Sequence, residues 1–403
     1  MIPYLIVALL YILVAILAAL ETSFISWGLS PWFNGMIWLR LHFITIGVTT
    51  QVIFGVTPIL IAKTYNLPKP KMRWDIWLLL NSGMVLLIMG IPLISKIPII
   101  SGGTLTFIAA VLLIIQLAGM KSASGKSDAP SNGQKFYISG LIFLLIGVLV
   151  GTGLFTGWSG PLGIRGDAAE VHIHAQNWGF LSLVFAGFFV DLYPVWTNRQ
   201  LSNSKAITPI FWMLTWGALT LVLSPWFGSQ LLALIGAPLH VIASIWLLVI
   251  AIKPLYGDKL AWTPGISHLL ASYFWLFAPL LTAPWVIFGM ESEWVPTAAL
   301  NSMTPQALIY GWVLQFSFAI LPYLYHRFFL GGEKAQLGGT WLSFALVNAG
   351  SIILWASTLI EPMRNNLHGA AYMLWAISFL PVTYDIWEKT KAGMQQAENA
   401  IPE

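Results

Sequence analysis

The sequence predicts an all-α polytopic membrane protein with about 12 transmembrane helices in three four-helix arcs of pseudo-threefold symmetry. Three observations carry this prediction. The chain is 58% hydrophobic and only 8% charged, whereas soluble domains carry about 25% charged residues. Apolar segments long enough to cross a bilayer, about 20 residues each, recur along its whole length. A polar position followed by small residues occurs three times at equal intervals along the chain.

The apolar segments define the individual spans. They are expected at 3–22, 36–62, 74–94, 97–119, 136–157, 170–196, 207–226, 229–253, 266–289, 303–329, 339–360 and 367–387. We expect a single membrane domain over 1–403, built from repeat units at about 1–120, 136–260 and 262–390. The Gly, Ser, Pro and Asn content of 121–135 predicts a cytoplasmic linker, and 391–403 is expected to be a cytoplasmic tail.

Basic residues indicate the orientation of the spans. They cluster after the even-numbered spans, at Lys63, Lys69, Lys71, Arg73, Lys121, Lys126, Lys135, Arg199, Lys205, Lys253, Lys259, Arg327, Lys334, Lys389 and Lys391. The loops after odd spans hold mainly acids, among them Glu21, Asp167, Glu291 and Glu293. By the positive-inside rule both termini are cytoplasmic, and we expect a multi-pass protein of a bacterial or archaeal inner (plasma) membrane. The small net charge of +4 lies in loops and does not indicate nucleic-acid binding.

The repeat is visible in spans 2, 6 and 10. His42 is followed by Gly47 and Gly55, and His174 is followed at the same two offsets by Gly179 and Gly187. Gln306 lies as far beyond His174 as His174 lies beyond His42, and Gly311 and Ala319 follow it. Small residues let membrane helices approach closely. Helix packing explains the glycines. It does not explain why a histidine, or the polar Gln306, precedes the first glycine at the same distance in each span.

The histidines are the candidate ligands. His42, His172, His174 and His368 are expected near the outer surface and His240 near the middle of the membrane, whereas His268 and His326 fall near the inner surface and are interpreted as structural. His172 and His174 are separated by about 200° around a helix, so they are expected to face different cavities. The alternative for both is a capping role at the interface. A polar group within a span is a functional candidate by default.

The chemistry of these residues favours haem. The chain has no cysteine, which excludes disulfides, iron–sulfur clusters and thiolate-bound zinc. Neutral imidazole binds haem iron and copper, so His42, His172 and His174 are the candidate metal ligands, for a b-type haem first and for copper second. A tetrahedral zinc site is less favoured than haem or copper, because no second histidine lies at i+4 and carboxylates are expected to be absent from the core. Arg40, Arg165 and Arg364 are candidates for binding haem propionates, or else are interfacial anchors.

Two resemblances rest on these residues. Three four-helix units with histidines near the outer ends of their second helices resemble subunit I of the haem–copper oxidase superfamily. Span 6 is similar to the NnrS family, whose pattern matches here at His172, His174, Gly179, Phe180, Gly187, Phe188, Pro194, Trp196, Thr197 and Arg199. That match is confined to positions 172–199, whereas the architecture covers the whole chain.

The chain departs from both families at particular residues. Ala175 stands where the NnrS pattern has an acid, and Gln306-Ala307-Leu308 replaces a histidine motif. An oxygen-reducing oxidase site needs six histidines, yet span 7 has none and span 10 has Thr304 and Gln306 instead of its pair. The chain therefore resembles a divergent member of these families. Whether it has enzymatic activity is left open.

The resemblance implies a haem protein with a role in nitric oxide metabolism or tolerance, and with nitric oxide or oxygen as ligand. Two alternatives remain open. The first is a catalytic or electron-transfer subunit of an oxidase or nitric oxide reductase type of complex, with a quinol or cytochrome partner. The second is a haem-free transporter of a small solute, whose histidines would relay protons.

Overall fold

Long helices make up the protein. The computed structural model describes residues 1–32, 36–123, 132–288, 296–331 and 335–399, and over these ranges it contains no β-strand. Within the same ranges, twelve long helices follow one another along the chain. They are α1 Ile2–Ser26, α2 Ile37–Thr64, α3 Trp74–Gly90, α4 Lys96–Ala123, α5 Asn132–Thr156, α6 Ala168–Thr197, α7 Ile207–Phe227, α8 Gln230–Ile252, α9 Pro264–Ile287, α10 Thr297–Leu330, α11 Trp341–Leu359 and α12 Arg364–Asn399.

Each predicted span coincides with one of these helices, because in lipid only a helix satisfies the backbone polar groups of a single segment. Ten of the helices described here are long and apolar enough to cross a membrane. The other two are α3, which has 17 residues, and α12, which has 36. The expected span at 74–94 is shortened because α3 ends at Gly90, where the Ser95 amide donates to the Gly90 carbonyl and closes a turn. The all-α polytopic fold class is confirmed.

Helices extend into the expected linker and into the expected tail. Helix α4 continues to Ala123 and α5 begins at Asn132, while α12 continues to Asn399. The centre of the linker at 124–131, with Lys126, lies outside the described residues, as do Glu291, Glu293, Lys334 and the last four residues.

The helices form two compact units. One comprises Ile53–Tyr256 together with Met1, and the other comprises Ile2–Val52 and Gly257–Glu403. In the first unit α5 packs on α4 and α6, and α3 pairs with α4 as α7 pairs with α8. In the second, α12 packs along α11 and α1, while α9 packs on α10.

A local widening of the helix recurs at the predicted repeat. Spans 2, 6 and 10 each change from α-helical to π-helical hydrogen bonding, at Phe43–Thr50, Ala175–Leu181 and Leu308–Val313. The first two segments begin directly after His42 and His174, and the third begins two residues after Gln306. Such π-turns are rare and are found often at functional sites. The three repeat positions therefore share a π-helical backbone conformation as well as a sequence pattern.

A glycine beneath an aromatic ring accompanies each π-turn. A Cβ at Gly47 would collide with the Tyr11 ring, one at Gly179 with Phe143, and one at Gly311 with Trp275. Tyr11, Phe143 and Trp275 follow one another at the same interval as the three glycines. In each case an aromatic side chain from the first helix of a repeat unit packs against the glycine of the second helix. This contact fixes the distance between the two helices.

The third and fourth helices of each repeat unit also meet at a glycine. Gly83 of α3 lies against Thr106, Gly217 of α7 against His240, and Gly350 of α11 against Trp375. Close backbone approach at small residues is the usual way that membrane helices pack. His240 thus occupies a packing position that Thr106 and Trp375 fill in the other two pairs.

Replacing Gly179 with alanine should destabilise the protein. The added methyl group has no room against Phe143, and overpacking of this kind costs about 1–3 kcal/mol. The measurement is the melting temperature of the purified protein in detergent. Gly119→Ala is the control, because a Cβ there would meet no atom within 4 Å among the described residues, its chain neighbours and its own helix backbone aside. Adding Phe143→Leu to Gly179→Ala should recover part of the loss, and equal melting temperatures for the two glycine variants would contradict the packing.

Candidate functional site

The beginning of α6 places two histidines in its first two turns. Asp167 caps the helix, and its carboxylate accepts a hydrogen bond from the Ala169 amide at 2.7 Å. A side-chain oxygen at this position satisfies the first free amides of a helix. His172 and His174 lie in the same helical segment as this cap, and both are half-buried. The π-turn begins directly after His174, at Ala175.

The two rings point to different neighbouring helices of the first unit. His172 Nδ1 lies 2.7 Å from the Gly147 carbonyl oxygen of α5. His174 Nδ1 lies 2.7 Å from the Leu221 carbonyl oxygen of α7. The approximately 200° that separates them along the helix predicts this divergence.

These hydrogen bonds determine the tautomer of each ring. A carbonyl oxygen only accepts hydrogen bonds, so Nδ1 must carry the proton and donate it. In a neutral imidazole the lone pair is then on Nε2. Histidines that bind metals typically donate their other ring N–H to a carbonyl or carboxylate in this manner. His172 and His174 thus both carry the lone pair on the nitrogen that metal ligands commonly use.

His42 has the same arrangement in the second unit, with a local partner. Its Nδ1 lies 2.7 Å from the Trp38 carbonyl oxygen, one turn earlier in α2. The imidazole also stacks on the Trp38 ring, with centroids 4.2 Å apart and planes 13° from parallel. The ring is therefore fixed both by its hydrogen bond and by its stacking.

Gln306, at the third position of the repeat, is an acceptor for several donors. Its Oε1 accepts hydrogen bonds from Arg40 Nη2 at 3.2 Å and from the Tyr372 hydroxyl at 2.7 Å, and His368 Nε2 lies 3.2 Å away. Its Nε2 donates to the Ser302 carbonyl at 3.2 Å, which fixes the orientation of the amide. We call Arg40, Gln306, His368 and Tyr372 the Arg40 cluster.

Two predicted site residues, Arg40 and His368, are thus brought together in the second unit. Arg40 is buried, and its guanidinium lies 4.9 Å from the centre of the Tyr372 ring. His368 has both ring nitrogens engaged, Nε2 with Gln306 and Nδ1 with Ser26 Oγ at 2.7 Å. For His368 to bind iron, one of these hydrogen bonds would have to be released.

The other arginines are placed differently. Arg165 is exposed, and its backbone amide donates to the Trp226 carbonyl at 2.8 Å. Arg364 begins α12 one turn before His368 and is half-buried, and its Nε is buried without a hydrogen-bond partner among the described residues.

The remaining histidines are enclosed to different degrees. His240 is fully buried in the first unit, 3.0 Å from Ser182 Oγ and 3.3 Å from the Trp178 carbonyl oxygen through its Nε2. His268 is fully buried in the second unit, where its Nε2 lies 2.9 Å from Ser343 Oγ. His326 is half-buried at the start of a π-helical turn in α10. The surroundings of His240 are those of a packed interior residue.

The expectation of a carboxylate-free interior is wrong. Asp191 lies inside the predicted span 170–196, and its Oδ2 accepts a hydrogen bond of 2.8 Å from the hydroxyl of the fully buried Tyr137. Glu21 in α1 is also buried, with 3% of its surface exposed. Asp191 could have been found from the sequence, because a lone acid in an apolar run is a functional candidate by default.

A metal site with several protein ligands is not found in the part of the chain that the structure describes. No three His, Cys, Asp or Glu side chains of those residues lie close enough together to hold a metal ion. The donor set does not fit a copper ion held by three histidines. It does fit an axial haem ligand, for which one imidazole with a free lone pair suffices.

Comparison with solved structures identifies the architecture. The chain is similar to a heme-copper terminal oxidase, solved by cryo-EM as a dimer, with a TM-score of 0.65 over 96% of this chain and 83% of that chain. The chain has a haem–copper oxidase subunit I-like fold. The sequence identity is 13%, so the likeness is one of fold. No protein-family profile matches the sequence, and no curated protein matches it.

Replacing Tyr137 with phenylalanine should lower stability. Asp191, which is half-buried, would lose the hydroxyl that donates to it, and a hydrogen bond of this kind contributes about 0.5–1.5 kcal/mol to stability. The measurement is the melting temperature in detergent. Tyr384→Phe is the matched control, because Tyr384 is 68% exposed and should tolerate the change. An unchanged melting temperature for Tyr137→Phe would show that the hydrogen bond contributes nothing.

Proposed function

We propose that this protein is a membrane haem protein that holds a b-type haem through Nε2 of His174 and acts in nitric oxide metabolism or tolerance. One observation carries the proposal: the hydrogen bond from His174 Nδ1 to the Leu221 carbonyl, which leaves the lone pair on Nε2. The haem–copper oxidase-like fold supports it.

His42 and His172 are the next candidates for binding iron. Each has its Nδ1 2.7 Å from a backbone carbonyl oxygen, as His174 has. His42 also occupies the position in its repeat that His174 occupies in the next. The same tautomer therefore carries its lone pair on the same nitrogen at three places, which makes His42 and His172 further candidate ligands, each for a haem of its own compact unit.

Haem supplies an iron that binds diatomic molecules and exchanges single electrons. The chain itself supplies the imidazole, holds its ring in one tautomer and places it, half-buried, among apolar helices. Binding of nitric oxide or oxygen is the role that this arrangement supports. The resemblance of span 6 to the NnrS family favours nitric oxide.

Oxygen reduction with copper is not part of the proposal. The sequence lacks the histidines that such a site needs in spans 7 and 10, and the described residues hold no three-ligand cluster. An electron-transfer role with a quinol or cytochrome partner needs haem but not copper, and the binding experiment below would be its first step. We place the protein in a bacterial or archaeal inner membrane with both termini cytoplasmic, on the distribution of Lys and Arg.

His174→Ala should abolish or strongly reduce the haem spectrum. The protein is expressed with added haem precursor and purified in detergent, and the Soret band is measured per mole of protein. Loss of the imidazole removes the ligand bond to iron, whereas size-exclusion chromatography should show that the variant still inserts and folds. His42→Ala is expected to alter the spectrum as well.

His326→Ala is the matched control. His326 is a half-buried histidine of α10 and is predicted at the opposite membrane surface, so its loss should leave the Soret band unchanged. A wild-type protein without any Soret band would refute the haem proposal and favour a haem-free transporter. An unchanged spectrum in His174→Ala would remove His174 from the ligands.

A further inference from the structure

The π-turn that follows His174 changes the pairing of one backbone carbonyl in α6. An α-helix pairs each carbonyl with the amide four residues ahead, which for Trp178 is the amide of Ser182. The Ser182 amide instead donates to the carbonyls of Asn177 and Gly179, so it passes over the carbonyl between them. Buried backbone carbonyls are almost always paired. The Trp178 carbonyl oxygen therefore needs a donor other than the Ser182 amide.

His240 of α8 supplies this donor. It is fully buried, and its Nε2 lies 3.3 Å from the Trp178 carbonyl oxygen and 3.0 Å from Ser182 Oγ. A carbonyl oxygen only accepts hydrogen bonds, so Nε2 carries the proton and the Ser182 oxygen is its second acceptor. The lone pair is then on Nδ1, which lies 3.5 Å from the hydroxyl of Ser244. Both ring nitrogens of the neutral imidazole thus have partners.

Helix α7 contacts both His240 and His174. Gly217 of α7 lies against the backbone of His240, since a Cβ at Gly217 would come within 3.0 Å of the His240 amide nitrogen. Leu221, one turn later in the same helix, has the carbonyl that accepts from His174 Nδ1. The position of α8 against α7 and the direction of the His174 ring are therefore coupled through α6.

The π-turn sets the direction of the two helical turns that precede it. It holds one residue more than an α-helix would hold over the same hydrogen-bonding pattern, and one residue corresponds to a rotation of about 100°. If the Ser182 amide returned to the Trp178 carbonyl, the first two turns of α6 would rotate by about this angle. His174 Nδ1 would then move away from the Leu221 carbonyl oxygen.

We propose that His240 is a positioning residue for His174. The Nε2–H of His240 occupies the Trp178 carbonyl, keeps α6 in its π-turn and so directs the His174 ring toward Leu221. His240 does not bind iron in this arrangement, because both of its ring nitrogens are engaged. The consequence for haem rests on the proposed function, whereas the positioning itself concerns the haem-free chain.

The first experiment observes the His174 ring in the haem-free protein. Nitrogen-15 NMR of histidine-labelled protein distinguishes a protonated ring nitrogen from one with a lone pair, and His174→Ala assigns the resonances. In His240→Leu, which cannot donate, the two His174 nitrogens should become more alike, because the ring loses the carbonyl that selects one tautomer. His240→Gln has an amide N–H near the position of the imidazole Nε2 and should restore the wild-type resonances.

His268→Leu is the matched control. His268 is also fully buried, but its Nε2 partner is Ser343 Oγ, at 2.9 Å, in the second unit, so its loss should leave the His174 resonances unchanged. His240→Asn has an amide one carbon shorter than that of glutamine and should behave as His240→Leu does. If the leucine variant does not fold, the comparison of His240→Asn with His240→Gln decides.

Two results would overturn the positioning role. One is that His240→Leu and His240→Asn leave the His174 resonances unchanged. The other is that His268→Leu or His240→Gln alters them as much as His240→Leu does, which would indicate a general loss of packing.

The second experiment measures haem affinity. Removal of a group that orients a metal ligand typically lowers the affinity 10–100-fold, so His240→Leu should bind haem about tenfold more weakly than wild type. His240→Gln should bind close to wild type, and equal affinity in His240→Leu and wild type would contradict the positioning role. A wild-type protein that binds no haem would refute the proposed function alone. The nitrogen resonances would still decide the role of His240, so the two proposals fail separately.

Discussion

The hydrogen bond from a ring Nδ1–H to a backbone carbonyl decides what the histidines of this protein can do. His174 donates to Leu221, His172 to Gly147 and His42 to Trp38, each across 2.7 Å. A carbonyl oxygen has two lone pairs, so one that is already paired within its helix can still accept a hydrogen bond from a histidine ring. A histidine that uses a carbonyl in this way is held in one tautomer, with Nε2 as its only lone-pair nitrogen. The proposal of haem binding depends on this constraint.

The repeat shows one position used in two ways. At His42 and His174 the ring Nδ1 donates to a backbone carbonyl, whereas at Gln306 the amide oxygen accepts from Arg40 and Tyr372. The surrounding structure is common to all three, with a π-turn beside the polar residue and an aromatic ring on the glycine that follows. The same backbone arrangement thus supports either a histidine that donates a hydrogen bond or a glutamine that accepts hydrogen bonds. The residue at the repeat position decides which of the two is present.

The sequence could predict the helices, because apolar length and loop composition are local properties. It also predicted the alignment of His42, His174 and Gln306 and the divergence of His172 from His174, since both follow from spacing. It could not predict that Leu221 and Gly147 accept from these rings, because tertiary packing decides which carbonyls lie opposite. The short α3 was missed because its turn at Gly90 lies in an apolar run. Asp191 was overlooked although its signal was present.

The most direct test is the protonation of the His174 ring. Nitrogen-15 NMR of histidine-labelled protein, with His174→Ala to assign the resonance, distinguishes a protonated ring nitrogen from one with a lone pair. In the haem-free protein the account predicts a proton on Nδ1 and a lone pair on Nε2, and it predicts that the Nε2 resonance shifts or disappears when haem is added. A proton on Nε2, or an Nε2 resonance that haem leaves unchanged, would contradict it.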